Sequence, residues 1–152
     1  MLLKLVNLSV VTSLWFVSVN LGGCSAQVGE NSAYTVSNAS IRVPAPGRTM
    51  TAGYFEFKNN SEEAVTIIAV RSSAAERVEM HTVLKVDDQM RMRPLPKLAV
   101  PAGDSAIFTS GGNHLMLFGV ELSDTPTILE IELDNGTIVS APLQSTALNQ
   151  TN

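Results

Sequence analysis

The segment Arg77–Pro94, RVEMHTVLKVDDQMRMRP, decides how the rest of the chain is read. In an extended strand, successive side chains point to opposite faces. Val78, Met80, Thr82, Leu84 and Val86 then share one face, and Glu79, His81, Val83 and Lys85 share the other. The first set is the more apolar, which assigns Met80 to a core and His81 to a more polar surface. With Asp87-Asp88 as a two-residue loop, Val86 faces Gln89, Lys85 faces Met90, Val83 faces Met92 and His81 faces Pro94. Directly paired residues share a face, so Met90 and Met92 lie on the His81 side, while Arg91 and Arg93 take the other. Met92 becomes a diagonal neighbour of His81, within reach of a long side chain. A slip of one residue would reverse all of these assignments.

The same alternation recurs outward from this hairpin. Strands are expected near Tyr34–Val43, Ala52–Lys58, Val65–Arg71, Val78–Val86, Gln89–Pro94, Ser105–Thr109, His114–Val120, Ile128–Leu133 and Ile138–Pro142. Turn residues separate them, in PAPG, NNSEE, VDDQ, VPAGD, SGGN, SDTP and DNG. Asp134-Asn135-Gly136 is a hairpin signal, because Asn-Gly accepts the positive φ angles of a type I′ turn. No window carries a convincing helical period. Many short strands at this spacing indicate an all-β fold, a small antiparallel sandwich or barrel. After Pro142 the sequence LQSTALNQTN is polar and is expected to fray.

Only two histidines occur, His81 and His114, and methionines stand close to each. In His114–Val120, HLMLFGV, the residues His114, Met116 and Phe118 share a face, and Leu115 and Leu117 take the opposite one. Two strands therefore each present a histidine and a methionine on one surface. Thioether sulfur is soft and imidazole borderline, a donor set that suits Cu(I) better than Ca²⁺ or Mg²⁺. Singly, each of these residues reads more simply as structure: a hydrogen-bonded histidine beside an apolar strand, or methionines filling gaps in a core. The Gly111-Gly112-Asn113 stretch before His114 is by itself a turn, although it also lets backbone approach closely.

Spacing weighs between these readings. Ten residues separate His81 from Met92, twenty-one separate Met92 from His114, and one separates His114 from Met116. This pattern, with VEMH, MRMRPL, VPAG and GGNHLML around it, resembles the His-x10-Met-x21-His-x-Met motif of the periplasmic copper chaperones called PCu(A)C. The resemblance extends over roughly Tyr34 to Leu143. It implies a cupredoxin-like β-sandwich and a Cu(I) site made by His81, Met92, His114 and Met116. Met90, on the same expected face as His81, is a candidate auxiliary contact whose part the resemblance leaves open. The resemblance also implies a non-enzymatic, monomeric carrier that passes copper by ligand exchange to a recipient, such as a Sco-type protein or the CuA subunit of cytochrome c oxidase.

The N-terminal segment, with one lysine, an apolar run and the ending LGGC at Leu21–Cys24, reads as a secretory signal. The ending resembles the lipobox of bacterial lipoproteins. That resemblance implies cleavage before Cys24, acylation there, and a periplasmic protein anchored to a membrane, with Ser25 favouring the outer one. Residues 1–23 are then signal, 24–33 a small polar tether, 34–143 the domain and 144–152 a polar tail. Loss of Lys4 takes the formal charge from −4 to −5. No basic run is present, so nucleic acid is not an expected partner. Cys24 is the sole cysteine, so a blue-copper site, which needs a thiolate, is disfavoured. Two alternatives to copper delivery remain at this level. One is copper buffering or capture at the membrane. The other is a metal-free adhesion or ligand-binding sandwich in which the histidines and methionines merely pack.

Overall fold

A computed structural model describes residues 33–123 and 125–147. The expected signal (1–23), Cys24 and Ser25 lie outside them. Eleven strands follow one another in the described residues: β1 Tyr34–Arg42, β2 Met50–Asn59, β3 Val65–Ser72, β4 Arg77–Val86, β5 Gln89–Pro94, β6 Leu98–Val100, β7 Ser105–Phe108, β8 His114–Phe118, β9 Ile128–Leu133, β10 Ile138–Pro142 and β11 Gln144–Thr146. One sheet runs β11-β1-β2-β8-β4-β5, with β7 also paired to β2; the other runs β10-β9-β3-β6. The fold is an all-β sandwich of two sheets, one of the two architectures that the alternation allows and the one that the family resemblance implies.

Each sheet turns one set of alternate residues inward. Ile41, Phe55, Phe57, Leu115 and Leu117 from the larger sheet meet Ile67, Leu129, Ile131, Leu133 and Val100 from the smaller, all almost fully buried. Phe55 and Phe108 stack at 4.2 Å between ring centroids. Met80 joins this core, as its face in β4 requires. Asn59 is the fully buried polar residue of the interior. Its amide donates to the carbonyls of Glu63, Val100 and Pro101, and its carbonyl oxygen accepts from Ser61, so one side chain fixes the loop after β2 and the end of β6.

The β4–β5 hairpin has the expected register throughout, from Val86 opposite Gln89 to His81 opposite Pro94. Asp87 and Asp88 have φ of 51° and 60°, as a two-residue turn of type I′ requires. β5 is an exposed edge strand. Its Arg91, Arg93 and Pro94 are residue types that discourage edge-to-edge pairing.

Three expectations need correction. The Asp134-Asn135-Gly136 turn is not type I′, because positive φ is confined to Gly136 (81°). The Gly136 amide donates to the Leu133 carbonyl and Leu133 to the Thr137 carbonyl, the pattern of a type I turn closed by a glycine bulge. Residues 144–146 do not fray; they form β11, which pairs parallel with β1 and makes one exception to an otherwise antiparallel larger sheet. The short β6, between Pro96 and Pro101, is a further strand that alternation alone does not reveal.

Asp134 also ties the end of β9 to β3. Its carboxylate accepts from the Thr66 amide at 3.0 Å, and its own amide donates to the Thr66 carbonyl at 2.9 Å. The hydrogen bond from the Thr66 backbone, followed by one from its side chain, holds the Asp134 carboxyl below its ordinary value. A carboxyl with a lowered folded-state pKa stabilises the fold above its unfolded pKa, and that contribution is lost as pH falls through the folded one. The melting temperature of the parent should therefore decline more steeply below about pH 4 than that of Asp134→Asn, read by thermal circular dichroism.

Candidate metal centre

His81 is the residue at which β4 has partners on both sides. It faces His114 of β8 in one direction and Pro94 of β5 in the other. Beyond it, β4 and β5 continue as a two-stranded arm without β8. The outer face of the larger sheet can be followed by register. Glu79 faces Met116, Arg77 faces Phe118, and on the next strand Ala52 faces Met116 and Met50 faces Phe118. Val83 faces Met92 and Lys85 faces Met90.

The two histidines are thus direct cross-strand neighbours, with ring centroids 6.0 Å apart and planes tilted by 45°. Neither is a solvated surface residue: His114 is buried and the His81 side chain is only 13% exposed. Each ring is held by one nitrogen. His114 Nδ1 lies 3.0 Å from the Gly112 carbonyl oxygen, which can only accept. His81 Nε2 lies 2.9 Å from the Glu79 carboxylate, so it too is the donor. In neutral rings this places the lone pairs on His114 Nε2 and His81 Nδ1. Those two atoms are buried and have no hydrogen-bond partner.

Glycine makes the His114 contact possible. Gly111 has a φ of 82°, and the turn it shapes returns the Gly112 carbonyl to the ring two residues on. The neighbouring Thr109 amide donates to the Asn113 carbonyl at 2.6 Å and closes the same turn.

Met116 lies beside this pair, two residues along β8, half-buried and opposite the small Ala52. Met92 lies on the other flank, diagonal to His81 and 47% exposed. Met90 is two residues further out on the arm and does not adjoin the histidines by register. Cys24 lies outside the described residues. Among the described residues, no group of three His, Cys, Asp or Glu side chains is arranged around one point. By register, the side chains next to the two imidazoles on this face are the Met92 and Met116 thioethers and the Glu79 carboxylate.

Sequence reading placed Glu79 on the correct face but missed its part. It accepts from His81 and also pairs with Arg77, whose guanidinium lies 4.1 Å from the centre of the Phe118 ring. The signal was the i, i+2, i+4 run Arg77, Glu79, His81. Nothing local in the sequence shows that β2 pairs with β8, the pairing that sets Met50 opposite Phe118 on this outer face.

Comparison with solved structures gives the fold a wider setting. The apo PmoF2 PCuAC domain superposes with a TM-score of 0.64 at 15% identity, covering 79% of this chain and 94% of that one. The copper-bound PCuAC domain from PmoF2 gives 0.61 at 15%, covering 76% and 93%. The solution structure of apo-DR1885 from Deinococcus radiodurans gives 0.56 at 17%, covering 96% and 97%. At such identities the likeness is one of fold. In sequence, the chain is 29% identical over 125 residues to "Putative lipoprotein Lxx21020" of Leifsonia xyli subsp. xyli, covering 78% of this chain and 75% of that protein. Residues 34–127 match the family described as "Putative lipoprotein LpqE-like", and the chain belongs to that LpqE-like family.

Proposed function

We propose that this protein is a copper-handling lipoprotein without catalytic activity, which binds Cu(I) through His81, Met92, His114 and Met116. The observation that carries the reading is the pair of unpartnered, buried ring nitrogens, His81 Nδ1 and His114 Nε2, on directly opposed residues. A buried polar atom with no partner is costly, and an ion shared between the rings removes that cost for both. The separation fits. Metal–imidazole bonds of about 2 Å put two ring centres roughly 5–6 Å apart across a shared ion, against 6.0 Å here.

The rest of the donor set gives the selectivity. Met92 and Met116 flank the histidines with neutral, soft sulfur, which favours Cu(I) over hard cations. Neutral thioethers carry no proton to displace, so Cu(I) is taken up and surrendered by exchange of one ligand at a time. Glu79 and the Gly112 carbonyl hold the imidazoles in the orientation and tautomer that binding needs. Copper-bound relatives of the same fold support the assignment. Residues 1–23 act as the signal, Cys24 as the acylated anchor and residues 24–33 as the tether of the domain. An anchored protein is suited to capturing copper near a membrane and supplying a recipient there, for which a Sco-type protein or the CuA subunit is the candidate that the PCu(A)C resemblance suggests.

The test is a Cu(I) titration of the purified protein in competition with a colorimetric chelator. One equivalent should be withdrawn from the chelator; withdrawal of none would end the proposal in favour of a metal-free sandwich. In the same assay Glu79→Ala should bind 10–100-fold more weakly, the usual effect of removing the partner that orients a ligating histidine. An unchanged affinity would show that the Glu79 contact does not orient the ring for copper.

A further inference from the structure

The methionines of the domain are distributed in an unusual way. Of Met50, Met80, Met90, Met92 and Met116, only Met80 lies in the core. The other four all project from the outer face of the larger sheet, by register. Met50 and Met90 are 52% and 64% exposed, although methionine is a residue type that folding ordinarily buries. Neither position is in the proposed four-donor set.

Their places on the face are ordered. Met90 stands on the β4–β5 arm, followed by Met92 two residues along β5 and then by His81 on β4. His114 and Met116 continue the line on β8, and Met50 follows on β2. Met50 is the diagonal neighbour of Met116, a distance of about 7–8 Å that long side chains can bridge. The residue directly opposite Met116 is Ala52, which leaves the space between the two thioethers unfilled by any large side chain of β2. The result is a file of soft and borderline donors crossing four strands, with the histidines at its middle and an exposed methionine at each end.

We infer that Met90 and Met50 are the two ends of a thioether track along which Cu(I) enters and leaves the four-donor site. The inference rests on the copper reading above and specifies how the ion moves. At each step one Cu–S bond forms as one Cu–S or Cu–N bond to the neighbouring donor breaks. The thioethers are neutral before and after, so neither protons nor electrons are exchanged. Met90 shares its face with Met92 and reaches an incoming ion on the exposed arm. Met50 reaches the opposite flank through Met116. The competing role for Met50 is cover for the Phe118 ring, which faces it and carries Arg77 on its surface.

The test is the kinetics of copper transfer in Met50→Ile/Met90→Ile. Isoleucine suits an exposed strand and still covers Phe118, but carries no sulfur. Stopped-flow transfer of Cu(I) between the protein and a colorimetric chelator should slow at least tenfold in both directions, with equilibrium affinity within threefold of the parent. An unchanged rate at unchanged affinity would overturn the track while leaving the copper site standing. A loss of affinity would also overturn it, because the two residues would then be primary ligands. Failure of the parent to bind Cu(I) would remove the site and the track together. A second measurement is independent of the variant. In the parent, labelled at the methionine methyl carbons, substoichiometric Ag(I) should broaden the Met50 and Met90 resonances as well as those of Met92 and Met116. Methyl signals of Met50 and Met90 that stay sharp while the others respond would overturn the inference.

Discussion

Exchanging Met92 and Met116 together for leucine will weaken Cu(I) binding by roughly a thousandfold, a loss of about 4 kcal/mol. Leucine nearly conserves the volume of methionine, so the substitution removes sulfur without opening a cavity. Met92 is half exposed on an edge strand and Met116 is only partly buried, so neither site is under tight packing constraint. What is left for the ion is the pair of ring nitrogens, His81 Nδ1 and His114 Nε2. Imidazole alone is a borderline donor that several divalent metals share, and the soft component that singles out Cu(I) has gone. The variant should therefore lose preference as well as affinity, with Cu(I) binding falling much more than Zn²⁺ binding. Each single exchange should fall between parent and double variant. Competition against a colorimetric Cu(I) chelator reads both quantities. A double variant that matches the parent would show that these sulfurs are not ligands.

The arm that carries Met92 was legible because its information is local. The Asp87-Asp88 turn is two residues long, and its length fixes which residue of β5 faces which residue of β4. The assignment of Met90 and Met92 to the His81 face follows from that arithmetic, as does the assignment of Met80 to the core. His114 and Met116 were separated from Leu115 and Leu117 by the same period of two, and both leucines are fully buried. What the residues could not give is the pairing between distant strands. That β4 lies beside β8, and His81 directly opposite His114, is a product of sandwich topology. The interval pattern that resembles the PCu(A)C motif singled out His81, Met92, His114 and Met116 without describing that contact. Met50 and β11 escaped for the same reason: each acquires its place from a strand far away in sequence. The Asp134–Gly136 turn failed on a finer point. An Asn-Gly pair serves both a type I′ turn and a type I turn with a glycine bulge, and the flanking pairing selects between them.

The alternation in β8 makes a second large prediction, on stability instead of copper. Leu115→Ala should destabilise the domain by about 3–4 kcal/mol and lower its melting temperature by on the order of 15 °C. Leu115 is fully buried, between Gly53 of β2 and Met80 of β4 in register. Gly53 cannot be expected to refill the space, and a Cβ built there would already stand 2.9 Å from Leu117 Cδ1. The cavity left by truncation therefore persists, and residual cavity volume is what raises the cost of such changes. The proposed copper site, whose His114 and Met116 flank the same position, should behave differently. His114 and Met116 are carried by a backbone that is paired to β4 along its length and to β2 from Leu115 onward, and their side chains point away from the cavity. Well below its melting temperature, Leu115→Ala should hold Cu(I) within about threefold of the parent, while the Met92/Met116 variant shows the opposite profile of intact stability and lost copper. Thermal unfolding and chelator competition on the two variants separate the faces of one strand. If Leu115→Ala were to lose copper with its stability intact, the division of β8 into a packing face and a binding face would be wrong.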